Sequence, residues 1–179
     1  EKTGIVGGNS LVVGGFMNAP LPELQNKKYD ERQPSIESLV TDALAEEPVS
    51  DEHKDLQDEI QKEYDEYLAS DLTFFDSENW FALQTWNAGD KVGDLDAVKM
   101  MTANADDRMQ WVIDNGMAFK NEVVLGGGAL YTRSRYAELP NGTGYISTLK
   151  DVIEKNNKDN FTLLKNTEGT ELIMDGDRV

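Results

Sequence analysis

The sequence predicts an α+β chain that is helix-rich and carries a small β element near its C-terminus. Three observations carry this reading. Apolar residues recur at three- and four-residue steps through several stretches between Ile36 and Ile113, the spacing of one buried helix face. Short strand-like runs gather after Asn160, and two glycine-rich stretches, Gly4 to Gly15 and Gly126 to Gly128, read as loops.

Taken in order, the stretch from Gly4 to Ala19 holds two Gly-Gly pairs around Leu11-Val12-Val13 and ends in Met17-Asn18-Ala19-Pro20. Glycine permits positive φ and close backbone approach, so the stretch suits either a loop that hugs a ligand or a surface turn. Pro20, Pro22 and Pro34 among polar residues predict an irregular connection from Leu21 to Pro34. Ser35 is the expected N-cap of a helix carrying Ile36, Leu39, Val40 and Leu44 and ending before Pro48. A second helix follows Ser50, with Leu56, Ile60, Tyr64, Tyr67 and Leu68 on its inner face and acidic residues on the rest. His53, among Asp51, Glu52, Lys54 and Asp55 in its first turn, reads as an exposed side chain.

The aromatic segment Thr73 to Trp86 predicts core, with a platform for a cofactor or sugar as the minority alternative, and Ser77 as a helix cap. A single long helix is expected from Asp94 to Asn115, capped by Asp94 and closed by Gly116, burying Val98, Met101, Ala105, Met109, Val112 and Ile113. The loop at Gly126-Gly127-Gly128 could hold an anion through backbone N–H groups, with Arg133 and Arg135 close by; a plain loop is the alternative. A short helix is expected from Tyr145 to Lys155. Strands are expected at Phe161 to Leu164 and Thr170 to Met174, then a hairpin turn at Asp175-Gly176-Asp177.

Composition narrows the function classes. With 34 acidic and 17 basic residues in 179, the net charge of −17 repels phosphate backbones and anionic lipid, so no nucleic-acid partner and no membrane insertion are expected. No apolar run approaches the roughly 20 residues of a spanning helix. The absence of cysteine excludes disulfides, thiolate metal sites and a cysteine nucleophile. No metal-ligand motif, Walker loop or serine elbow is present, and no catalytic residue is assigned.

The opening Glu1-Lys2, followed by Gly7-Gly8-Asn9-Ser10, Gly14-Gly15 and Met17-Asn18-Ala19, resembles the region after the second strand of the dinucleotide-binding fold in soluble fumarate reductases and their FAD-dependent relatives. The resemblance continues through Asp76-Ser77-Glu78, Gly93 to Lys99, Met109-Gln110-Trp111, Gly126 to Ala129, Gly142 to Ile153 and Asn166 to Ile173. It implies an internal fragment of a Rossmann-like FAD-binding domain. Residues 1–20 would form a cradle loop, 21–72 a lineage-specific helical extension and 73–179 the remainder, in a single compact unit.

By the same resemblance, Glu1 would accept the adenosine ribose hydroxyls, with Lys2 beside it. Gly7, Gly8, Asn9 and Ser10 would follow the pyrophosphate and ribityl chain, Gly14 and Gly15 would approach the flavin ring, and Gly127 and Gly128 would complete the cofactor contacts. The G-x-G-x-x-G turn would lie upstream of Glu1 and the substrate clamp downstream of Val179, so weak or absent FAD binding and no activity are expected of this chain alone. The parent would reduce an activated C=C bond in a fumarate-, acrylate- or urocanate-type carboxylate. L-aspartate oxidase, ketosteroid dehydrogenase and a non-enzymatic acidic interaction domain remain alternatives. A dimer that the parent never forms is a further expectation. The compartment, cytoplasmic or cell-surface, is left open.

Overall fold

The computed structural model describes residues 1–28, 36–126, 129, 131–156 and 159–179. Helix α4 (Glu78–Ala88) occupies the centre, and its sequence explains why. Trp80, Phe81, Ala82, Leu83 and Trp86 are all buried, so the helix has apolar residues on opposite sides and needs two partners. Ser77 starts it by accepting the Trp80 N–H at 3.0 Å.

On one side, α2 (Ile36–Leu44) and α3 (Asp51–Leu68) supply Val40, Leu56, Ile60 and Tyr64, which pack with Phe74, Phe75, Trp80, Leu83, Trp86 and Tyr131. On the other, Phe81 packs with Ala19, Ala105, Met109, Val112, Met117, Phe119 and Ala137. The aromatic segment is core, as its composition predicts. Helix α3 follows Ser50 as expected, the Ser50 side chain capping it by accepting the His53 N–H, and Leu56, Ile60 and Tyr64 are buried, but Leu68, its last residue, stands exposed.

A three-stranded antiparallel sheet in the order β1-β3-β2 joins β1 (Phe16–Asn18), β3 (Thr132–Tyr136) and β2 (Val124–Leu125). Met17 pairs with Arg135 and Asn18 with Ser134. Helix α7 (Thr143–Asn156) begins two residues before the expected start at Tyr145 and packs under the glycine-rich opening.

Several expectations are corrected. Residues Pro22–Lys28 form helix α1 where an irregular connection is predicted; Pro22 suits the first helical position, and the Gln25 side chain accepts the Leu21 N–H at 2.8 Å. The Ser35 cap lies outside the described residues. The long helix from Asp94 is two helices, α5 (Leu95–Ala103) and α6 (Ala105–Asp114). Asn104 separates them by turning its side-chain amide back onto the Met100 carbonyl at 2.7 Å, the local competition that makes asparagine a helix breaker. Asp94 still caps, but Met101 is exposed, the buried residues of α5 being Leu95 and Thr102.

The β element is not C-terminal. Residues 161–164 and 170–174 form no strands, having no neighbour to complete a ladder, and only the turn survives, as a bridge between Asp175 and Arg178.

His53 is also corrected: it is fully buried. Its Nδ1 accepts the Val49 N–H at 3.2 Å, and its ring meets Trp86 edge-on at 5.2 Å. Sequence periodicity places it one turn before Gln57, whose amide donates to the carbonyls of Ala43 and Glu46. The two side chains together close the α2–α3 corner.

Asp76 and Arg133 form a buried ion pair. Asp76, with a fully covered side chain, receives Arg133 Nη2 at 2.6 Å on Oδ1 and Arg133 Nε at 3.1 Å on Oδ2. Gln25 Nε2 donates to the same Oδ2 at 2.6 Å and to the Thr132 carbonyl at 2.7 Å. The guanidinium lies 4.4 Å from the Phe81 ring centre and 4.8 Å from that of Tyr131. Burial raises the Tyr131 phenol pKa, and Asp76 adds to the effect.

Two predictions follow from these buried groups. Asp76→Ala leaves Arg133 buried and unpaired, so thermal unfolding should show a loss of about 3–5 kcal/mol, and the double variant Asp76→Ala/Arg133→Met should recover much of it. For His53, burial first and the Lys91 charge second lower the folded pKa below 6.5, with Glu46 opposing. The unfolded chain therefore takes up a proton before the folded one does. Stability is fully present above about pH 6.5 and falls as the pH drops toward the folded value. Melting temperatures across pH 7 to 5 should decline more steeply for the wild type than for His53→Gln.

Candidate functional site

The opening residues fold as a loop laid over the start of α7. Gly7 adopts φ +110° and leads into a 3₁₀ turn, Gly8–Val12, in which Ser10 N–H bonds to the Gly7 carbonyl at 2.8 Å. The loop is held by two contacts that leave no room for a side chain. A Cβ on Gly142 would lie 1.8 Å from the Ser10 carbonyl oxygen, and one on Gly15 would lie 2.1 Å from that of Asn141. Gly15 has φ +71° and Asn141 φ +55°, so both sides of the crossing use left-handed backbone.

The predicted cradle residues therefore divide by what surrounds them. Gly7 is backed by Leu11 and Ile146, with the nearest atom 2.8 Å from a built Cβ, and Gly15 by Asn141. A Cβ built on Gly14 would lie 3.2 Å from the Phe16 ring. In contrast, nothing lies within 4 Å of a Cβ built on Gly8, and Asn9 and Ser10 are exposed beside it. A ligand could approach the backbone closely at Gly8.

Glu1 and Lys2 lie apart from this turn and meet the C-terminal segment. The Glu1 ammonium donates to the Leu164 carbonyl at 2.9 Å, Thr167 N–H donates to the Glu1 carbonyl at 3.1 Å, and Lys2 pairs with Glu168 at 2.6 Å. The Glu1 carboxylate accepts both the N–H and the hydroxyl of Thr3, each at 3.1 Å, on the single oxygen Oε1. These bonds, led by the backbone N–H, hold its pKa below the usual glutamate value. The group is an exposed, ionised acceptor.

Between the loop and α7 runs a cleft of about 310 Å³ lined by Gly4, Ile5, Val6 and Leu11 on one side and Thr143, Ile146, Ser147, Lys150 and Lys165 on the other. Sequence reasoning did not single out Lys150 and Lys165. Lys150 is legible in retrospect, one helical turn after Ile146 on the same face of α7, whereas Lys165 is brought close by the bonds that tie Leu164, Asn166 and Thr167 to Glu1 and Thr3.

Gly127 and Gly128 lie outside the described residues. Their flank, Gly126, comes near the first loop through Phe16, whose ring lies 3.4 Å from a Cβ built on Gly126 and packs edge-on against Tyr136 at 5.6 Å. Arg133 does not serve this loop as a mobile cation, being committed to Asp76. Arg135 sits over the Phe119 ring at 5.1 Å and donates to the Lys120 carbonyl, and burial lowers its pKa. Among the described residues, no group of three or more metal-ligating side chains converges, and no helix is long and apolar enough to cross a membrane.

Substitutions separate glycines held by the fold from the glycine left open. Gly142→Ala and Gly15→Ala should each lower thermal stability by about 1–3 kcal/mol, because backbone must move. Gly8→Asn, which tolerates the φ of +48°, should change it little.

No protein-family model matches this chain. It is 27% identical over 194 residues to the NADH:acrylate oxidoreductase of Vibrio harveyi, a match covering 100% of this chain and 19% of that protein. It is also 27% identical over 176 residues to the urocanate reductase of Eggerthella lenta, covering 98% of this chain and 22% of that protein. The chain thus spans about a fifth of the length of the curated relatives it matches. Its similarity, distant but end to end, is to oxidoreductases that act on acrylate and urocanate.

Proposed function

We propose that this chain is part of the FAD-binding region, Rossmann-like in the intact protein, of an oxidoreductase that reduces an activated C=C bond. The substrate class is a small unsaturated carboxylate of the fumarate, acrylate or urocanate type. One observation carries the reading: the similarity to two such reductases runs through essentially the whole chain, glycine-rich opening included.

The residues present fit the dinucleotide half of the cofactor. Glu1 retains an oxygen, Oε2, beyond the one bonded by Thr3, as acceptance of ribose hydroxyls requires. The open backbone at Gly8, with exposed Asn9 and Ser10, suits a pyrophosphate that must come within hydrogen-bond distance of the main chain. In the neighbouring cleft, Lys165 and Lys150, the latter also paired with Glu154 at 3.0 Å, supply positive charge in a chain whose net charge of −17 otherwise opposes anions.

When bound, FAD would supply the hydride. The protein residues orient it: Glu1 fixes the ribose, the Gly8 turn receives the phosphates, and Gly14 with Gly15 shapes the approach toward the ring. Gly127 and Gly128 belong to the same reading as a second loop against the cofactor. Proton delivery and the substrate clamp are assigned to no residue of this chain, which by itself should be catalytically silent.

Amide NMR titration with ADP, which carries the ribose and pyrophosphate without the flavin, tests the reading while tolerating weak affinity. Shifts should concentrate at Gly8, Asn9, Ser10 and Thr143 and shrink at least fivefold in a Gly8→Val variant. A folded chain whose amide spectrum ignores millimolar ADP would remove the cradle reading in favour of an acidic interaction domain.

A further inference from the structure

The sequence contains two Asn-Gly pairs, Asn115-Gly116 and Asn141-Gly142, and the fold holds them differently. In such a pair the glycine nitrogen can attack the asparagine side-chain amide, because glycine has no side chain to block the approach. In a folded chain the reaction depends on the ψ of the asparagine. For an L residue, Cβ and the next backbone nitrogen lie on the same side only near a ψ of about −120°, the value found at the first central residue of a type II′ turn.

Asn141 is held in that turn. The Thr143 N–H donates to the Pro140 carbonyl at 3.3 Å, closing a turn with Asn141 and Gly142 at its centre. Asn141 has φ +55° and Gly142 does not have a positive φ. Positive φ at the first central position alone is the type II′ signature, which sets the Asn141 ψ at about −120°. The Asn141 side chain is exposed. Among the described residues, neither its amide nor the Gly142 N–H is engaged in a hydrogen bond.

Asn115 is the internal contrast. As the C-cap of α6 it has φ −91° and ψ 12°, which turns its Cβ well away from the Gly116 nitrogen. Both reacting groups are also held by other bonds. The Asn115 side-chain amide donates to the Trp111 carbonyl at 2.8 Å, and the Gly116 N–H donates to the Ile113 carbonyl at 2.9 Å.

We infer that Asn141 is a self-modifying residue, which deamidates through a cyclic imide while Asn115 stays intact. The Gly142 nitrogen bonds to Asn141 Cγ, and the side-chain nitrogen leaves as ammonia, taking the proton from the Gly142 N–H. Water then opens the ring. Addition at Cγ breaks the new bond and gives aspartate. Addition at the main-chain carbonyl carbon breaks the original peptide bond and gives isoaspartate, whose main chain runs through the former side chain and is longer by a methylene. Water is consumed, ammonia is released, and nothing is oxidised or reduced.

The product falls at the crossing that holds the glycine-rich opening. The Asn141 carbonyl oxygen leaves no room for a side chain on Gly15, and the Ser10 carbonyl leaves none on Gly142. A main chain lengthened between residues 141 and 142 cannot keep both close contacts. Conversion to isoaspartate should therefore loosen the opening from α7, whatever that opening binds.

Peptide mapping by mass spectrometry, on the whole chain kept at pH 7.4 and 37 °C either folded or in 6 M guanidinium, follows both asparagines. Folded, Asn141 should convert at least about tenfold faster than Asn115, because the turn supplies the near-attack geometry; in denaturant the two rates should agree within about threefold. A folded chain in which Asn141 lasts as long as Asn115 overturns the inference. So does a preference that survives in denaturant, since it would then belong to the flanking residues and not to the turn. Asn141→Gly suits a type II′ turn and removes the reacting amide. The aged wild type should melt lower as its isoaspartate content rises, and the aged variant should not; equal melting of fresh and isoaspartate-rich wild type would overturn the loosening.

Discussion

The carboxylate of Asp76 is the point on which the architecture turns. It lies immediately before the cap of α4, receives two guanidinium nitrogens from β3 and one amide from α1, and is wholly removed from water. Three elements distant in sequence thereby meet at one group whose charge must be matched. Apolar packing could tolerate a small slip of β3 along α4, whereas a bidentate guanidinium–carboxylate pair cannot. Such a pair adds little net stability over an apolar substitute, and its contribution here is to fix position.

With β3 fixed, the rest of the site is placed by short-range geometry. β1 pairs with β3, so Gly15 is delivered to Asn141, and the chain entering α7 passes close enough to Ser10 that only glycine fits at 142. The open turn at Gly8 is thus suspended from a crossing of two backbones. A loop built this way is stiff at its ends and free at its tip, which suits main-chain recognition of a ligand better than a loop held by side chains alone.

Much of this was legible in the sequence, and the failures have physical causes. Caps at Ser77 and Asp94, the aromatic core from Phe74 to Trp86 and the burial of Leu56, Ile60 and Tyr64 on α3 follow from local rules and are found. His53 was misread because its neighbours in sequence are charged, while its burial depends on Trp86, more than thirty residues away. The strands were placed too late in the chain, since strand propensity at 161–164 and 170–174 is real but a ladder needs a partner. The β3 run Thr-Arg-Ser-Arg-Tyr hides its strand character behind a buried Arg133 and a half-buried Arg135, whose partners no local pattern shows. At the site, the glycine turn was visible and its division into fold-held and open positions was not, because that depends on Asn141 and Gly142 arriving from the far end of the chain.

Helix α4 has one further consequence. Between Asn79 and Asn87 it has no exposed residue, since one side belongs to the α2–α3 core and the other to the α6–sheet core. A typical surface helix carries a wet stripe on which substitutions accumulate at little cost; this one has none. Related chains should therefore diverge freely along the acidic outside of α3 while α4 changes only in concert with residues on both of its flanks. Neither half of the molecule should melt while the other stays folded, because each would strip the shared helix of a partner.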